Sequence, residues 1–177
     1  MNLSKYDYYL NIAKEISKAS KCLRSHFGAI IVKNDMIIGA GYNGPARGVE
    51  HCSPCRRINC PSGVGYEKCI AVHAEANAII QAGGRVGCLG ATMYIASHNK
   101  NWDGTIYNVA MGDFPCNNCA RLIINSGIEW VVHLELCVDG SVDIGEDSIG
   151  QRVMAPRKVF APKCYNVPEL VRYGKLW

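Results

Sequence analysis

The stretch Gly28-Ala-Ile-Ile-Val-Lys-Asn-Asp-Met-Ile-Ile-Gly-Ala-Gly-Tyr42 consists of two short apolar runs joined through Asn34-Asp35. Apolar, β-branched runs of this length separated by two turn-forming residues predict a β-hairpin. Upstream, Tyr9, Ile12, Ala13, Ile16 and Ala19 recur at helical spacing, so an amphipathic helix is expected from about Ser4 to Ala19, with Ser4 and Asp7 placed as in a capping box. Downstream, Ala74-Glu-Ala-Asn-Ala-Ile-Ile-Gln-Ala82 reads as a short helix that stops at Gly83-Gly84, and Ala91-Thr-Met-Tyr-Ile-Ala96 reads as a strand. A second short helix is expected from Cys116 to Ser126, ended by Gly127, followed by the strand Ile128-Glu-Trp-Val-Val-His133. Between hairpin and helix, residues Gly44 to Val72 are rich in Gly, Pro, Cys and Arg and predict an irregular loop that needs a staple. The order helix, hairpin, helix, strand, helix, strand predicts a three-layer α/β fold whose sheet is parallel in its later part.

The chain has 177 residues, which suits one domain with a core large enough to stand without disulfides. Hydrophobic residues at 49% and charged residues at 19% give an ordinary globular balance, which argues against a disordered chain. A formal net charge of +4 is compatible with an anionic substrate but is too mild to predict a nucleic-acid partner. No apolar run reaches the ~20 residues of a membrane span, and the opening Met1-Asn-Leu-Ser-Lys-Tyr-Asp7 lacks a secretory core, so a cytoplasmic location is expected. In a reducing compartment ten cysteines point to metal ligands rather than disulfides.

Two segments carry the chemistry. His73-Ala74-Glu75 lies where the loop enters the first short helix, and Pro115-Cys116-Asn117-Asn118-Cys119 lies where the second begins. A catalytic zinc takes three protein ligands and keeps a fourth position for water, and one imidazole with two thiolates makes such a set. Cysteines at a helix start are favoured as thiolates because backbone N–H groups point at them. Glu75 follows the histidine by two residues and is free to act as general base and acid. His-Ala-Glu alone is a weak sign, and a lone C-x-x-C also fits a redox pair or half of a zinc finger. H-x-E followed by P-C-x-x-C, in this order and on these elements, is the signature of a zinc-dependent hydrolytic deaminase.

The likeness then extends well beyond the metal motif. Cys22-Leu-Arg24, Gly28-Ala-Ile-Ile-Val32, Gly41-Tyr-Asn-Gly44 and Pro61-Ser-Gly63 accompany Cys69-Ile-Ala-Val-His-Ala-Glu-Ala-Asn-Ala-Ile-Ile80 and Pro115-Cys-Asn-Asn-Cys-Ala-Arg-Leu-Ile-Ile-Asn-Ser-Gly-Ile128. From Cys22 to about His133 the chain resembles the deoxycytidylate (dCMP) deaminase family of the cytidine deaminase superfamily. The resemblance implies a three-layer α-β-α fold with a central mixed sheet, often assembled as homo-oligomers. It implies a zinc ion on His73, Cys116 and Cys119, with Glu75 moving protons while hydroxide attacks C4 of a cytosine ring and ammonia leaves. It further implies that Asn43 hydrogen-bonds the sugar and that the backbone N–H of Ala74 holds the pyrimidine carbonyl. Some relatives carry a second, structural zinc in this region, for which Cys22, Cys52, Cys55 and Cys69 are the candidate ligands and His51 or Cys60 the replacements. Cys88, Cys137 and Cys164 read as isolated buried thiols.

The whole chain, 1–177, reads as a single deaminase domain with a catalytic core at about 22–133 and a divergent extension at 134–177. Two departures from the family pattern stand out. Residues Ser97 to Phe114 intervene before the proline-cysteine motif; a loop longer than ~12–15 residues that carries Trp102, Tyr107 and Phe114 predicts a structured flap over the nucleotide or against a neighbouring subunit. After His133 the Gly/Asp/Ser-rich stretch Val138 to Gly150 and Pro-interrupted segments replace the family's usual helix and strand. The expected reaction is therefore conversion of dCMP to dUMP. The alternatives are deamination of another aminated nucleoside or base, or a zinc-stabilised binding module without activity.

Overall fold

The computed structural model describes the backbone of residues 4–60, 64–100, 106–107, 115–146 and 152–166, and the side chains of 4–60, 64–98 and 115–133. In chain order the elements are α1 (Lys5–Ser17), β1 (Phe27–Lys33), β2 (Met36–Tyr42), β3 (Gly44–Pro45), a 3-10 turn (Tyr66–Lys68), β4 (Ala71–Val72), α2 (Ala74–Gln81) and α3 (Arg85–Cys88). They continue with β5 (Thr92–Ser97), β6 (Asn99–Lys100), β7 (Ile106–Tyr107), α4 (Asn117–Ser126), β8 (Trp130–Glu146) and β9 (Arg152–Asn166).

The local signals act as their chemistry requires. Ser4 caps α1, its hydroxyl accepting the Asp7 N–H at 3.1 Å. Asn34 and Asp35 take φ values of 51° and 60°, the left-handed pair of a tight hairpin turn, and Gly28 pairs with Tyr42 across the resulting ladder. Gly83 and Gly127 end α2 and α4 with φ of 82° and 75°.

The main sheet has the order β2-β1-β5-β8-β9. β5 and β8 are parallel, joined by the crossover through α4, while every other neighbouring pair is antiparallel, so the sheet is mixed. Strand alternation divides the core in two. Ala29, Ile31, Met93, Ile95 and Val131 face Ala78 and Ile79 of α2 and Ile123 of α4. Their neighbours Ile30, Val32, Tyr94, Ala96 and Val132 face Tyr9, Leu10 and Ala13 of α1. Helices thus cover both faces, which explains why these strands read as continuous apolar runs rather than as alternation.

The glycines of β2 fix how closely α2 lies on the sheet. A Cβ at Gly41 would come within 2.5 Å of the Ala74 carbonyl oxygen and of the Ala78 nitrogen, and one at Gly39 within 2.6 Å of the Ala78 carbonyl oxygen. These contacts are with backbone, so a larger side chain must lift the helix that carries His73 and Glu75. Gly41→Ala is expected to lower the unfolding free energy by about 1–3 kcal/mol, measured by urea denaturation, and to weaken metal retention with it. A variant as stable as the parent would show that α2 has slack to move.

The C-terminal region differs from its sequence reading. β8 runs unbroken in direction through the Gly/Asp/Ser-rich stretch to Glu146, and β9 returns along it from Arg152 to Asn166. Register shifts between Val138 and Ser141 and between Asp143 and Glu146 absorb the poor strand formers. Pro156 and Pro162 are accommodated because β9 is the edge strand, where a missing N–H need not break a ladder on its outer side. The expected flap lies largely outside the described residues, Trp102 and Phe114 included. Within it, β6 and β7 form a short antiparallel pair, Asn99 with Tyr107 and Lys100 with Ile106.

Candidate active site

Each site residue stands at the start of a helix. β3 and β4 clasp the irregular loop, Gly44 opposite Val72, and deliver the chain to His73, which is the N-cap of α2 with extended φ and ψ of −72° and 155°. Its side chain makes no capping hydrogen bond and is left for other work. Glu75, two residues on, is 2% exposed. Cys116 caps α4 in the same way, and Cys119 is the third residue of that helix. α2 and α4 pack against each other, so two ligand segments 43 residues apart in sequence meet.

The meeting has metal-site dimensions. His73 Nδ1 lies 3.5 Å from Cys116 Sγ and 3.4 Å from Cys119 Sγ, and the three ligand atoms are all within 4.8 Å of one another. With Zn–S of about 2.3 Å and Zn–N of about 2.0–2.1 Å, the N···S edge of a tetrahedron is about 3.5 Å. The donors therefore fit zinc in both chemistry and spacing, and the buried Glu75 Oε1 beside them has no hydrogen-bond partner among the described residues.

Without the ion, the three ligands share protons unevenly. The Cys119 thiol donates to Cys116, pulling the Cys116 thiol down to about 4 against the opposing effect of burial, with His73 adding to the pull. Cys119, as donor to a thiolate and itself buried, is pushed up. The hydrogen bond to Cys116 raises His73 despite its burial. Glu75 is raised because burial disfavours its charge. A metal displaces the protons that these donor atoms hold when it binds.

A cavity of about 250 Å³ opens beside these groups, lined by His73, Ala74, Glu75 and Cys116. Lys21, Arg24, Arg56, Arg57 and Lys68 also line it, against Glu75 as its one acidic lining residue among the described residues. Sequence reading missed this gathering. Lys21 and Arg24 precede β1 while Arg56, Arg57 and Lys68 lie in the irregular loop, and the fold brings all of them to one cavity.

Other expected site residues fare differently. Asn43 does line the cavity, but its side chain bridges backbone: Oδ1 accepts the Phe27 N–H at 2.8 Å and Nδ2 donates to the Ser25 carbonyl at 2.8 Å. One N–H and one lone pair are left for a ligand. Ala74 is the first residue of α2, where a backbone N–H has no partner within the helix. Cys22, Cys52, Cys55 and Cys69 line the same cavity, yet they form no metal-sized group among the described residues, and neither His51 nor Cys60 completes one. The loop is held by other bonds: Arg24 donates to the Cys60 carbonyl at 3.0 Å, and the Cys55 sulfur accepts the Arg57 N–H at 3.4 Å. Cys88 is a fully buried thiol as expected, whereas the side chains of Cys137 and Cys164 lie outside the described ones.

The model of the family described as cytidine and deoxycytidylate deaminase zinc-binding region matches residues 3–135. The deoxycytidylate deaminase of Mycobacterium phage D29 is 38% identical over 134 residues, which cover 72% of this chain and 91% of that protein. The human deoxycytidylate deaminase is 32% identical over 167 residues, covering 91% of this chain and 82% of that protein. Among solved structures, the dCMP deaminase from the cyanophage S-TIM5 in complex with dCMP and dUMP aligns with a TM-score of 0.51 at 23% identity, over 73% of this chain and 79% of that one. At that identity the likeness is one of fold.

Proposed function

Because the chain belongs to the cytidine and deoxycytidylate deaminase family, we propose that it converts dCMP and water to dUMP and ammonia, with His73, Cys116 and Cys119 holding zinc and Glu75 moving the protons. The observation that carries this reading is the buried Glu75 carboxyl, one oxygen unpartnered, beside a converging His/Cys/Cys set on the wall of a cation-lined cavity. Zinc, when bound, supplies Lewis-acid activation of a water. Glu75 takes one proton from the attacking water and delivers it to N3 as the new C4–O bond forms. It then passes the second proton to the amino group, the C4–N bond breaks and ammonia leaves. Burial of Glu75 suits this shuttle, since it holds the carboxyl above its ordinary range and so makes it a better proton acceptor. In this reading the Ala74 N–H, unpartnered within α2, holds the pyrimidine carbonyl, and Asn43, which retains one donor and one acceptor, bonds the sugar.

The lining cations favour a phosphorylated substrate. A charge-assisted hydrogen bond contributes about 1.5–3 kcal/mol, so kcat/KM for dCMP is expected to exceed that for deoxycytidine by roughly ten- to a hundredfold. The margin should narrow as salt screens the phosphate. Ammonia release across a panel of cytosine and adenine bases, nucleosides and nucleotides is the direct assay. Equal kcat/KM for dCMP and deoxycytidine would count against the nucleotide reading, and no release from any cytosine compound would remove the activity altogether. No described helix is long and apolar enough to cross a membrane. A homo-oligomeric state, which rests on the family, and a cytoplasmic location, which rests on the sequence, are part of the same proposal.

A further inference from the structure

Tyr66 stands on the wall of the active-site cavity with 48% of its surface exposed. Its ring centroid is 6.3 Å from that of His73, with the two planes inclined at 58°. Arg57 covers the same tyrosine ring, its guanidinium carbon 4.1 Å from the centroid, well within cation–π range. Arg57 is itself 8% exposed, and its Nε and Nη2 donate to the Val64 carbonyl at 3.0 and 2.7 Å. Its fork is therefore tied to backbone and cannot swing out to an anion as a free surface arginine could.

The chain between the two contacts is shaped for this arrangement. Gly65 separates Val64 from Tyr66 and takes φ of 74°, and a Cβ there would meet Cys60 Sγ at 2.8 Å. Only glycine makes this bend without strain, and the bend lets one guanidinium hold both the Val64 carbonyl and the Tyr66 ring. Arg24 secures the base of the device, with Nη1 donating to the carbonyls of Arg57 and Cys60. A half-exposed aromatic held this firmly beside the metal ligands exceeds what closing a loop requires.

We infer that Tyr66 is a specificity-determining residue that packs against the base and sugar of the substrate nucleotide, and that Arg57 is the residue that positions it. The inference rests on the proposed deaminase reading and deepens it. A planar aromatic offers a stacking surface to a planar base, and a cation on the ring fixes its orientation before substrate arrives, so no side-chain freedom is lost on binding. Arg57 acts through the ring rather than on the phosphate, which leaves Lys21, Arg56 and Lys68 as the cations for anion recognition.

Steady-state kinetics with dCMP and inhibition by dUMP test the assignment. Tyr66→Ala is expected to raise both KM and the dUMP inhibition constant about tenfold, the scale of a lost base–aromatic contact, while kcat falls less than threefold and zinc content holds. Tyr66→Phe should recover most of the affinity. Arg57→Met should reproduce the defect, and the Arg57→Met/Tyr66→Ala double variant should be no worse than Tyr66→Ala alone, because the two act as a unit. If Tyr66→Ala fails to fold, Tyr66→Leu keeps the bulk and should still show the weakened binding. Unchanged KM and inhibition constant in a folded, active Tyr66→Ala or Tyr66→Leu enzyme would overturn the assignment. So would a loss confined to kcat and zinc, which would place Tyr66 with His73 rather than with substrate. Failure of the underlying activity is distinct, since the unsubstituted protein would then release no ammonia.

Discussion

Glu75→Gln is expected to lower dCMP turnover by at least 10²–10⁴-fold, the typical contribution of a positioned acid–base group, while the protein keeps its zinc and its fold. The amide is nearly isosteric, so the cavity and the helix start are preserved, but it can neither take a proton from water nor return one to N3 or to the leaving amine. The loss should exceed that of a residue serving one step because Glu75 serves each proton transfer. Removing the charge also removes the burial penalty that raises the Glu75 carboxyl, so the variant is expected to be at least as stable as the parent. Turnover measured by ammonia release, zinc by elemental analysis and stability by thermal melting separate these effects. Normal deamination by Glu75→Gln would sink the mechanism, and loss of zinc with activity would mean that the carboxyl belongs to the metal site.

Removal of a ligand should have a larger and different effect. Cys116→Ala is expected to reduce zinc from one per chain to nearly none, to abolish turnover, and to lower the melting temperature because metal binding is coupled to the folded state. Cys116 Sγ is 3.5 Å from His73 Nδ1 and caps α4, so its loss opens the contact between the starts of α2 and α4. Cys69→Ser is the control. Among the described residues the geometry forms one metal-sized group, so Cys69→Ser should retain zinc and turnover. Two zinc ions per chain, with one lost in Cys69→Ser, would restore the structural site that the sequence suggested. Zinc retained by Cys116→Ala would show that the ligand set is wrong.

The sequence by itself determined α1, the β1–β2 hairpin, α2, β5, α4 and the start of β8, and the His/Cys/Cys set that gathers as potential metal ligands. Ser4, Asn34-Asp35, Gly83 and Gly127 are local signals whose chemistry holds wherever the chain goes: a cap, a left-handed turn pair and two helix stops. His73, Glu75, Cys116 and Cys119 were legible because an H-x-E followed by P-C-x-x-C supplies a three-ligand zinc set and a carboxyl two residues from it. The parallel β5–β8 pair followed from the alternation of helices and strands, and the mixed sheet from the family resemblance. The extension of β8 to Glu146 did not, since a Gly/Asp/Ser-rich stretch has low strand propensity and is held by pairing with β9 rather than by its own preference. Nor did local pattern show that Asn43 bridges Phe27 and Ser25, or that the loop cysteines stay apart. Lys21, Arg24, Arg56, Arg57 and Lys68 each look like an ordinary surface charge in isolation. What brings them to one cavity, and sets Arg57 over Tyr66 beside His73, is the fold: the segment before β1 and the irregular loop line the same cavity as the start of α2. Such convergence depends on contacts between residues remote in sequence, and periodicity and propensity carry no information about those.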